Sequence, residues 1–499
     1  MSTILDAGFQ MEADAFKQLV NLTEQENTLP SVIDELLRLA NSTDPRPLSI
    51  NIDLVLKAVE QLDLGTKKKK PEAFQESMGR PRRFAQEHPA RLDIVFDPTG
   101  KLGTLGTLDD FVHYFRSRFE KISRIFRQRI DTRNTETISD ALGGGNNGRA
   151  RFVGMVMEKR EKGKRIFLTV EDMDEEATVL VGDGNPSLWS MARKIVRDQV
   201  IFLETRKASG KLLIAENIVL PEIADRRPNH AEEEVYAALI SDVHIGSRVF
   251  LEDEFRRVLA WLNGTVGDPN QRAISDRVKY VLICGDLVEG IGVYPRQEID
   301  LQVLSIHDQY KLAGEFVAQI PEHMEVVLIP GNHDAVRQAL PQPMIPKEYA
   351  GPVYDSRKII PLGDPAEVRL EGVNFLLYHG TSLMDLVSSV PGFQYQKPID
   401  PMEYQLRTRH LAPEYGRLTP IGPESEDYLV IDRIPDVFQS GHIHVTGSRV
   451  YRGTTIVNSG AWQGQTDYQK RMGLIPQPGL LPVVNLQTLD VKMIDFRQN

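Results

Sequence analysis

The stretch Tyr280-Val281-Leu282-Ile283-Cys284-Gly285-Asp286 runs from an apolar, β-branched segment into a glycine and an aspartate. Such a run predicts a buried strand with polar residues at its end. Four other polar motifs of the C-terminal half also follow short apolar runs. They are Ser241-Asp242-Val243-His244, Gly331-Asn332-His333-Asp334, His379-Gly380 and Gly441-His442-Ile443-His444. Because ligands usually bind in the loops that follow the strands of an α/β sheet, we expect these five loops to form one site.

The residue types in these loops predict a site for two divalent metal ions. Two cations about 3.5–4 Å apart need a shared carboxylate, and Asp286 is the natural bridge. Asp242 and His244 lie two residues apart and therefore point to one side of an extended segment, as do His442 and His444. The motifs offer oxygen and nitrogen donors but no thiolate, and such ligands suit Mn, Fe, Ni or Zn.

His333 is a candidate general acid or donor to a phosphoryl oxygen, and Asp334 beside it could orient it. Any one of these histidines alone is more simply explained as a hydrogen-bonded interior or surface residue. The ordered set resembles the calcineurin-like metallophosphoesterases, whose motifs are D-x-H, G-D, G-N-H-D, H and G-H-x-H. This resemblance covers about residues 235–465 and implies a two-sheet phosphoesterase domain, which we place at residues 235–499.

Composition limits the other functions open to the chain. The 499 residues suggest roughly three domains, and the hydrophobic content of 41 % is ample for packed cores. The net charge is −11, so DNA binding would need a local basic patch or the metals.

Several absences predict a cytoplasmic protein that does not enter a membrane. The single cysteine, Cys284, excludes a disulfide framework and fits a reducing compartment. Residues 1–17 lack the basic and apolar regions of a signal peptide. The sequence also has no run of about 18 apolar residues that could form a transmembrane helix.

Residues 1–65 are predicted to form a small bundle of three amphipathic helices, centred near residues 16–20, 32–40 and 54–62. The bundle is either a self-contained folding unit or a docking module for a partner. Residues 66–90 contain Lys67-Lys68-Lys69-Lys70-Pro71 and few aliphatic residues, which predicts a basic linker. This linker is either a solvated tether or a segment that contacts DNA.

Residues 91–147 are predicted to hold a strand, Leu92 to Phe96, and a helix with an apolar stripe of phenylalanines and isoleucines. Aromatic residues at helical spacing are usually core. Basic residues crowd the remaining positions of the helix, and Arg116, Lys121 and Arg124 are candidates for phosphate contact. A rigid basic helix suits that role better than a linker does.

Residues 149–225 are predicted to form five strands with one helix between the third and the fourth, which is the order of an OB-fold. OB-folds often bind single strands by aromatic stacking. The aromatic residues here are Phe152, Phe167, Trp189 and Phe202, and strand alternation points most of them inward. We therefore favour a packing role. The predicted fold class is α/β plus all-β: an N-terminal helical bundle, an OB-fold and a two-sheet calcineurin-like metallophosphoesterase domain.

The segment 391–427 is long and proline-rich and lies between two ligand motifs. Long insertions of this kind often line an active site. Its Arg407 and Arg409 are further candidates for contact with nucleic acid, whereas His410 is expected to be an ordinary residue.

Two stretches outside the motifs indicate a particular family within the metallophosphoesterases. They are Leu287-Val288-Glu289-Gly290-Ile291-Gly292-Val293-Tyr294-Pro295-Arg296-Gln297-Glu298, and the segment from Gly460 to Val484 that contains Thr466-Asp467-Tyr468-Gln469-Lys470-Arg471-Met472. Both resemble the small subunit of the archaeal family D DNA polymerase, and the domain order agrees over nearly the full chain. One departure is Arg296, where the family pattern leads us to expect glycine. Arg296 contacts either substrate phosphate or nothing.

This resemblance implies a subunit that carries a 3′→5′ exonuclease and proofreads DNA for a separate large polymerase subunit. Neither terminus shows a sliding-clamp motif, so clamp binding is expected through the large subunit. By motif, Asp242, His244, Asp286 and His444 hold one metal, and Asp286, Asn332, His379 and His442 hold the other. The resemblance favours Mn, with Mg, Zn, Fe and Ni left open. His333 would stabilise the departing oxygen, with Asp334 behind it.

Two other functions are open at this point. One is a phosphodiesterase or phosphatase that acts alone, for which the helical module, OB-fold and basic helix would be surplus. The other is a scaffold subunit with a silent site, which the intact set of ligands argues against.

Overall fold

A computed structural model describes residues 10–11, 29–42, 49–50, 54–55, 57–58, 83–144 and 148–497. The chain divides into two units, residues 1–81 and residues 82–499. None of the helices among the described residues is both long and apolar enough to cross a bilayer.

The described part of the first unit contains one long helix, α1 (Leu29–Ser42), which corresponds to the second predicted helix. Its apolar face buries Val32, Leu36 and Ala40. Strands β1 (Gln10–Met11) and β2 (Ser49–Ile50) pair in parallel, which the all-helical prediction missed. The first predicted helix lies outside the described residues. Of the third, residues 54–55 and 57–58 are described and are helical.

The second unit contains two sheets and a barrel. Its strands are β3 (Leu92–Phe96), β4 (Arg149–Lys162), β5 (Arg165–Glu171), β6 (Glu176–Gly182), β7 (Val200–Ser209), β8 (Leu212–Val219), β9 (Tyr236–Ile240), β10 (Val278–Cys284), β11 (Glu325–Ile329), β12 (Ile360–Pro361), β13 (Ala366–Leu370), β14 (Val373–Leu377), β15 (Val437–Ser440), β16 (Gly447–Tyr451), β17 (Thr454–Asn458), β18 (Leu480–Asn485) and β19 (Val491–Asp495).

Helices of the second unit connect these strands and cover the sheets. They are α2 (Phe84–Glu87), α3 (Leu108–Gln128), α4 (Ile138–Gly143), α5 (Pro186–Lys194), α6 (Glu252–Leu262), α7 (Pro269–Ser275), α8 (Ile306–Val317), α9 (Lys347–Tyr354), α10 (Leu383–Ser389), α11 (Ile399–Thr408) and α12 (Asp467–Met472).

The two six-stranded sheets face each other. One has the order β12-β11-β10-β9-β18-β19 and the other β16-β17-β15-β14-β13-β3. Buried side chains from both, including Leu239, Leu282, Phe375 and Val437, form a shared core. The outer face of the first sheet packs against α6 and α8. Strands β9 to β12 run parallel, as do β14, β15 and β17, so their carboxyl ends lie together within each sheet.

Strands β4 to β8 close into a barrel in the order β4-β5-β6-β8-β7. Helix α5 falls between the third and fourth of them, where the sequence predicts it. Phe152 and Phe202 are fully buried in the barrel region. The mixed α/β class predicted from the sequence is confirmed.

The structure differs from the predicted linker at its C-terminal end. Residues 83–90 belong to the second unit and pack against the rest of it: Arg83 Nη2 donates to Ser275 Oγ at 2.9 Å, and Lys279 Nζ donates to the carbonyl of Ala85 at 3.0 Å. Strand β3 then pairs with β13, so it belongs to a sheet whose other strands come from residues 366–458. The predicted boundary at residue 235 therefore does not separate β3 from the strands with which it shares a sheet.

A buried arginine joins α3 to the rest of the second unit. Arg118 Nε donates to Asp427 Oδ2 at 2.7 Å, and Nη1 donates to the carbonyls of Asp198 (3.1 Å) and Pro413 (3.0 Å). His410 Nε2 lies 2.8 Å from the same Asp427 oxygen. Because Asp198 precedes β7 of the barrel, this cluster connects the barrel, α3 and the 410–427 segment. His410 is thus a structural residue, as the sequence predicts.

Candidate metal centre

The five polar motifs meet at one place. Each begins at the carboxyl end of a strand: β9, β10 and β11 in one sheet, and β14 and β15 in the other. The loops interlock through their backbones, since Asp242 N donates to the carbonyl of Gly285 at 3.0 Å and His244 N donates to that of Asp286 at 3.1 Å. Both sheets therefore contribute side chains to one site.

The first cluster of candidate ligands contains Asp242, His244 and His444. The Nε2 atoms of His244 and His444 lie 3.1 Å apart, and His444 Nε2 lies 3.3 Å from Asp242 Oδ1. Two nitrogen ligands at about 2.0–2.1 Å from one ion lie about this far from each other. The donor atoms therefore fit a single metal ion.

The second cluster contains Asp286, His379 and His442. His379 Nε2 lies 3.3 Å from Asp286 Oδ2 and 3.1 Å from Asn332 Oδ1. His379 Nδ1 lies 3.0 Å from the carbonyl oxygen of Cys284, to which it donates when protonated. That hydrogen bond leaves the Nε2 lone pair directed at the cluster, the usual arrangement of a ligating histidine.

Asp286 lies between the two clusters. Its Oδ2 is 3.3 Å from His379 Nε2 and 3.7 Å from His244 Nε2. Its Oδ1 accepts from His333 N at 2.8 Å, which fixes the carboxylate. The structure thus brings together all seven predicted ligands, with Asp286 at the position expected of a shared carboxylate.

Backbone strain is concentrated at these residues. Asp242, His244, Asp286, His442 and His444 have φ between 52° and 66°, in the left-handed region. Non-glycine residues there cost roughly 1–2 kcal/mol each relative to ordinary conformations. Residues with strained backbone conformations are common at functional sites, where contacts with the surrounding structure hold them in place.

Two motif glycines are required by close approach to the carboxylates. A Cβ on Gly331 would lie 2.2 Å from Asp286 Oδ1, and one on Gly441 would lie 2.4 Å from Asp242 Oδ2. Glycine at these positions lets the loops approach the candidate ligands from behind.

Burial and charge set the protonation of the site. Burial alone would raise the pKa of Asp286, but the charges of His379 and His333 lower it well below its ordinary value. Burial alone would lower the pKa of His379, but Asp286 raises it to about 10. Burial and the neighbouring His379 lower the pKa of His442 to about 3, which keeps this imidazole neutral. His379 therefore carries an extra proton in the metal-free chain, and a divalent cation bound between it and the ionised Asp286 would displace that proton.

His333 lies at the edge of the clusters. Its Nδ1 is 2.7 Å from the carbonyl oxygen of Glu289, and its ring is 4.6 Å from that of His244. Burial lowers the pKa of His333, but the charges of Asp286 and Glu289 outweigh that effect and raise it.

Asp334 does not orient His333, so this part of the sequence prediction is wrong. Its Oδ2 accepts from Gly331 N at 2.9 Å, and its Oδ1 accepts from the hydroxyl of Tyr310 at 3.1 Å. Burial, reinforced by the charge of Asp286, raises the pKa of Asp334 to about 6. Asp334 fixes the turn of the motif, and the backbone of Glu289 positions the imidazole.

The sequence did not single out Glu289. This carboxylate is fully buried, and its Oε2 lies 2.9 Å from His244 Nδ1 and accepts from Gln463 Nε2 at 2.6 Å. Burial would raise its pKa, but the hydrogen bond and charge of His244 lower it. The position of Glu289, three residues after Asp286, could have identified it from the sequence. Polar residues directly after a ligand motif can contact the neighbouring ligands.

A cleft of about 260 Å³ opens above the clusters. Besides candidate ligands it is lined by Tyr294, Met384, Tyr395, Tyr468 and Gln469. Tyr395 belongs to the 391–427 segment, so part of that insertion lines the site as predicted. Other parts of it pack against the barrel, where the Tyr404 hydroxyl donates to the carbonyl of Lys194 at 2.8 Å.

The candidate nucleic-acid contacts separate into two groups. Arg409 is 5 % exposed and donates to the carbonyls of Ile431 and Asp432, and burial lowers its pKa to about 10. Lys121 Nζ lies 3.0 Å from both the Asp427 carbonyl oxygen and Glu426 Oε2. Arg409 is therefore structural, and the predicted DNA contact is wrong for it. Lys121 is only half-buried, and contact with DNA stays a prediction for it.

The other four candidates retain some exposure. Arg407 Nε lies 3.3 Å from Glu222 Oε2 in a half-buried ion pair. Arg116, Arg124 and Arg296 are exposed, and contact with DNA stays a prediction for them. Arg296 has a φ of 67°, a conformation that glycine adopts without strain, which explains why glycine was expected at this position.

Comparison with known proteins identifies the class. A family model that describes the B-type subunits of DNA polymerases alpha and epsilon matches residues 237–444, a range that includes every candidate metal ligand. This match indicates a subunit of a DNA polymerase, the class to which the relatives below belong.

Relatives identify the family within that class. The chain is similar to the DNA polymerase II small subunits of three archaea. That of Archaeoglobus fulgidus is 41 % identical over 392 residues, covering 79 % of this chain and 78 % of the relative. That of Pyrococcus furiosus is 39 % identical over 420 residues (81 % and 68 %), and that of Methanothermobacter thermautotrophicus is 37 % identical over 417 residues (83 % and 85 %). The chain belongs to the family of DNA polymerase II small subunits, the small subunits of the archaeal family D DNA polymerase.

Proposed function

We propose that the chain carries a two-metal 3′→5′ exonuclease that removes terminal nucleotides from single-stranded DNA. The observation that carries this proposal is the position of Asp286 Oδ2, within 3.7 Å of His244 on one side and 3.3 Å of His379 on the other. The barrel is assigned to the OB-fold and the paired sheets to the calcineurin-like metallophosphoesterase fold. Strand order, with α5 before the fourth barrel strand, supports this assignment.

Seven residues would hold the two metals. Asp242, His244, Asp286 and His444 would hold one, and Asp286, Asn332, His379 and His442 the other. Manganese is the first metal to test, and Mg, Zn, Fe and Ni also suit some of these donors. When bound, two such ions supply hydroxide at neutral pH and neutralise charge that develops on the phosphodiester.

His333 is proposed as the group that stabilises the departing oxygen. With Nδ1–H donated to the carbonyl of Glu289, Nε2 faces the cleft. The negative charges of Asp286 and Glu289 raise the pKa of His333 in the metal-free chain. A protonated His333 would donate a proton from Nε2 to an oxygen that leaves with negative charge.

The proposed context is a heterodimer or higher complex with a large catalytic polymerase subunit. The small-subunit names of the relatives support this proposal. In such a complex the small subunit would proofread DNA, and a sliding clamp would be reached through the large subunit.

The test is degradation of single-stranded DNA by the full chain, alone and with its large subunit, in Mn and in Mg. A 5′-labelled oligonucleotide should shorten stepwise from its 3′ end, and a 3′-terminal phosphorothioate should slow this shortening. Asp286→Asn serves as the control for contaminating nucleases. Turnover of a generic phosphodiester without DNA cleavage would indicate a stand-alone phosphodiesterase, and inactivity on both would indicate a silent scaffold.

A further inference from the structure

Two tyrosines meet at the mouth of the cleft. The ring centroids of Tyr294, in the loop after β10, and Tyr468, on α12, lie 5.3 Å apart with planes at 31°. Both line the cleft that contains Asp286 and His333. We propose that this pair is a base-binding subsite that stacks on the terminal base of single-stranded DNA. The proposal rests on the proposed exonuclease and specifies the part of the substrate that the cleft recognises.

Tyr294 is held rigidly next to the candidate reacting groups. Its hydroxyl donates to Asp300 Oδ2 at 2.9 Å and lies 3.3 Å from Glu289 Oε1. Its ring centroid is 6.2 Å from that of His333. A fixed platform binds a ligand with little loss of conformational entropy. Tyr294 therefore fixes the position of the tyrosine pair relative to His333.

The spacing of the rings determines where the base stacks. A base inserted between two aromatic planes needs about 7 Å, two contacts of about 3.5 Å each. The 5.3 Å separation of Tyr294 and Tyr468 is too small for insertion. The remaining surface is the outward face of Tyr468, which is 40 % exposed. Tyr294 then supports Tyr468 from behind.

Charge near Tyr468 suits a nucleic acid. Arg471 lies three residues further along α12, so it is on the same side of the helix as Tyr468, and it is exposed. Surfaces that bind single strands combine aromatic platforms with cationic side chains that contact the backbone. Lys470 by contrast is paired with Asp467 at 2.9 Å.

The experiment measures equilibrium binding without catalysis. The full chain in EDTA is titrated with a labelled oligothymidylate that ends in either a normal or an abasic 3′ nucleotide, and binding is followed by fluorescence anisotropy. We expect roughly 5- to 100-fold tighter binding of the base-bearing end. Tyr468→Ala should abolish this preference and Tyr468→Phe should keep it. Met493→Ala is the control, because Met493 is another exposed apolar residue (39 %) and lies on β19 instead of α12.

Two results would overturn the subsite. One is equal affinity of the wild-type chain for the two ends. The other is a Tyr468→Ala variant whose affinity falls equally for the base-bearing and the abasic end. That result would make Tyr468 a general DNA contact or a structural residue. Hydrolysis by the same proteins with metal separates the two proposals: cleavage without a base preference rejects only the subsite, and a base preference without cleavage rejects only the exonuclease.

Discussion

The carboxylate of Glu289 lies 2.9 Å from Nδ1 of His244, and both side chains are buried. With a proton on Nδ1, next to this carboxylate, His244 would direct its Nε2 lone pair at His444 and Asp242. Glu289 also adds a negative charge just behind the proposed metal ligands.

Glu289→Gln should therefore weaken metal binding without removing a ligand. Loss of such a partner typically lowers metal affinity about 10- to 100-fold. Isothermal titration with Mn measures the effect, and Glu298→Gln, an exposed carboxylate in the same loop, is the control. Equal affinity of Glu289→Gln and wild type would show that His244 needs no such support.

Asp286→Asn should be the most damaging single substitution at the centre. It removes the one carboxylate placed between the two clusters, so both metals should be lost together. Asp242→Asn should weaken mainly the ion held with His244 and His444. Metal content per chain after dialysis distinguishes these outcomes, and primer extension by the assembled complex should survive both changes. Two metals retained by Asp286→Asn would contradict the shared site.

His333→Gln should retain both metals and lose about 10²- to 10⁴-fold in cleavage rate, the usual contribution of a general acid. As a general acid His333 must carry a proton, so the wild-type rate should fall as pH rises through its pKa in the metal-loaded enzyme. The variant should lack that alkaline limb. Metal loss in this variant would mean that His333 is itself a ligand.

Asp427→Asn should destabilise the second unit by about 3–5 kcal/mol, since it leaves Arg118 buried without its counter-charge. Burial raises the pKa of Asp427, but His410 and Arg118 lower it below its usual range. A lowered folded-state pKa stabilises the fold above about pH 4, and the effect disappears as pH falls toward the folded value. The difference in melting temperature from wild type should thus shrink on acidification. Asp432→Asn, with an exposed side chain, should show a small and pH-independent change.

Arg296→Gly should be more stable than Arg296→Ala by about 1 kcal/mol, because alanine keeps the left-handed strain and glycine removes it. Urea unfolding of the full chain measures this difference. The pair also tests the side chain: if Arg296 contacts phosphate, both variants should weaken DNA binding equally. Equal stabilities would show that the loop relaxes around residue 296.

The sequence predicted the candidate ligands because each follows a buried strand, and strand periodicity is a local property. It also placed Phe111, Phe115 and Phe119 on one helical stripe. Arg118 lies on that side of the helix but was grouped with the basic residues, because its partner Asp427 is 309 residues away in the chain. Glu289 was missed for the same reason: its role depends on His244, which a different loop supplies. Tertiary packing decides which residues of distant segments contact each other, and a local sequence pattern does not contain that information.

The pairing of β3 with β13 delays the closure of their sheet during protein synthesis. Residues 92–96 leave the ribosome about 270 residues before the strand at 366–370 that completes their ladder, and β9 meets β18 only near the C-terminus. Contacts between such distant segments form slowly. Until they form, the unpaired edges of the strands can associate with other chains. The nascent protein must be almost fully synthesised before either sheet can close, so the candidate metal centre is one of the last parts to assemble.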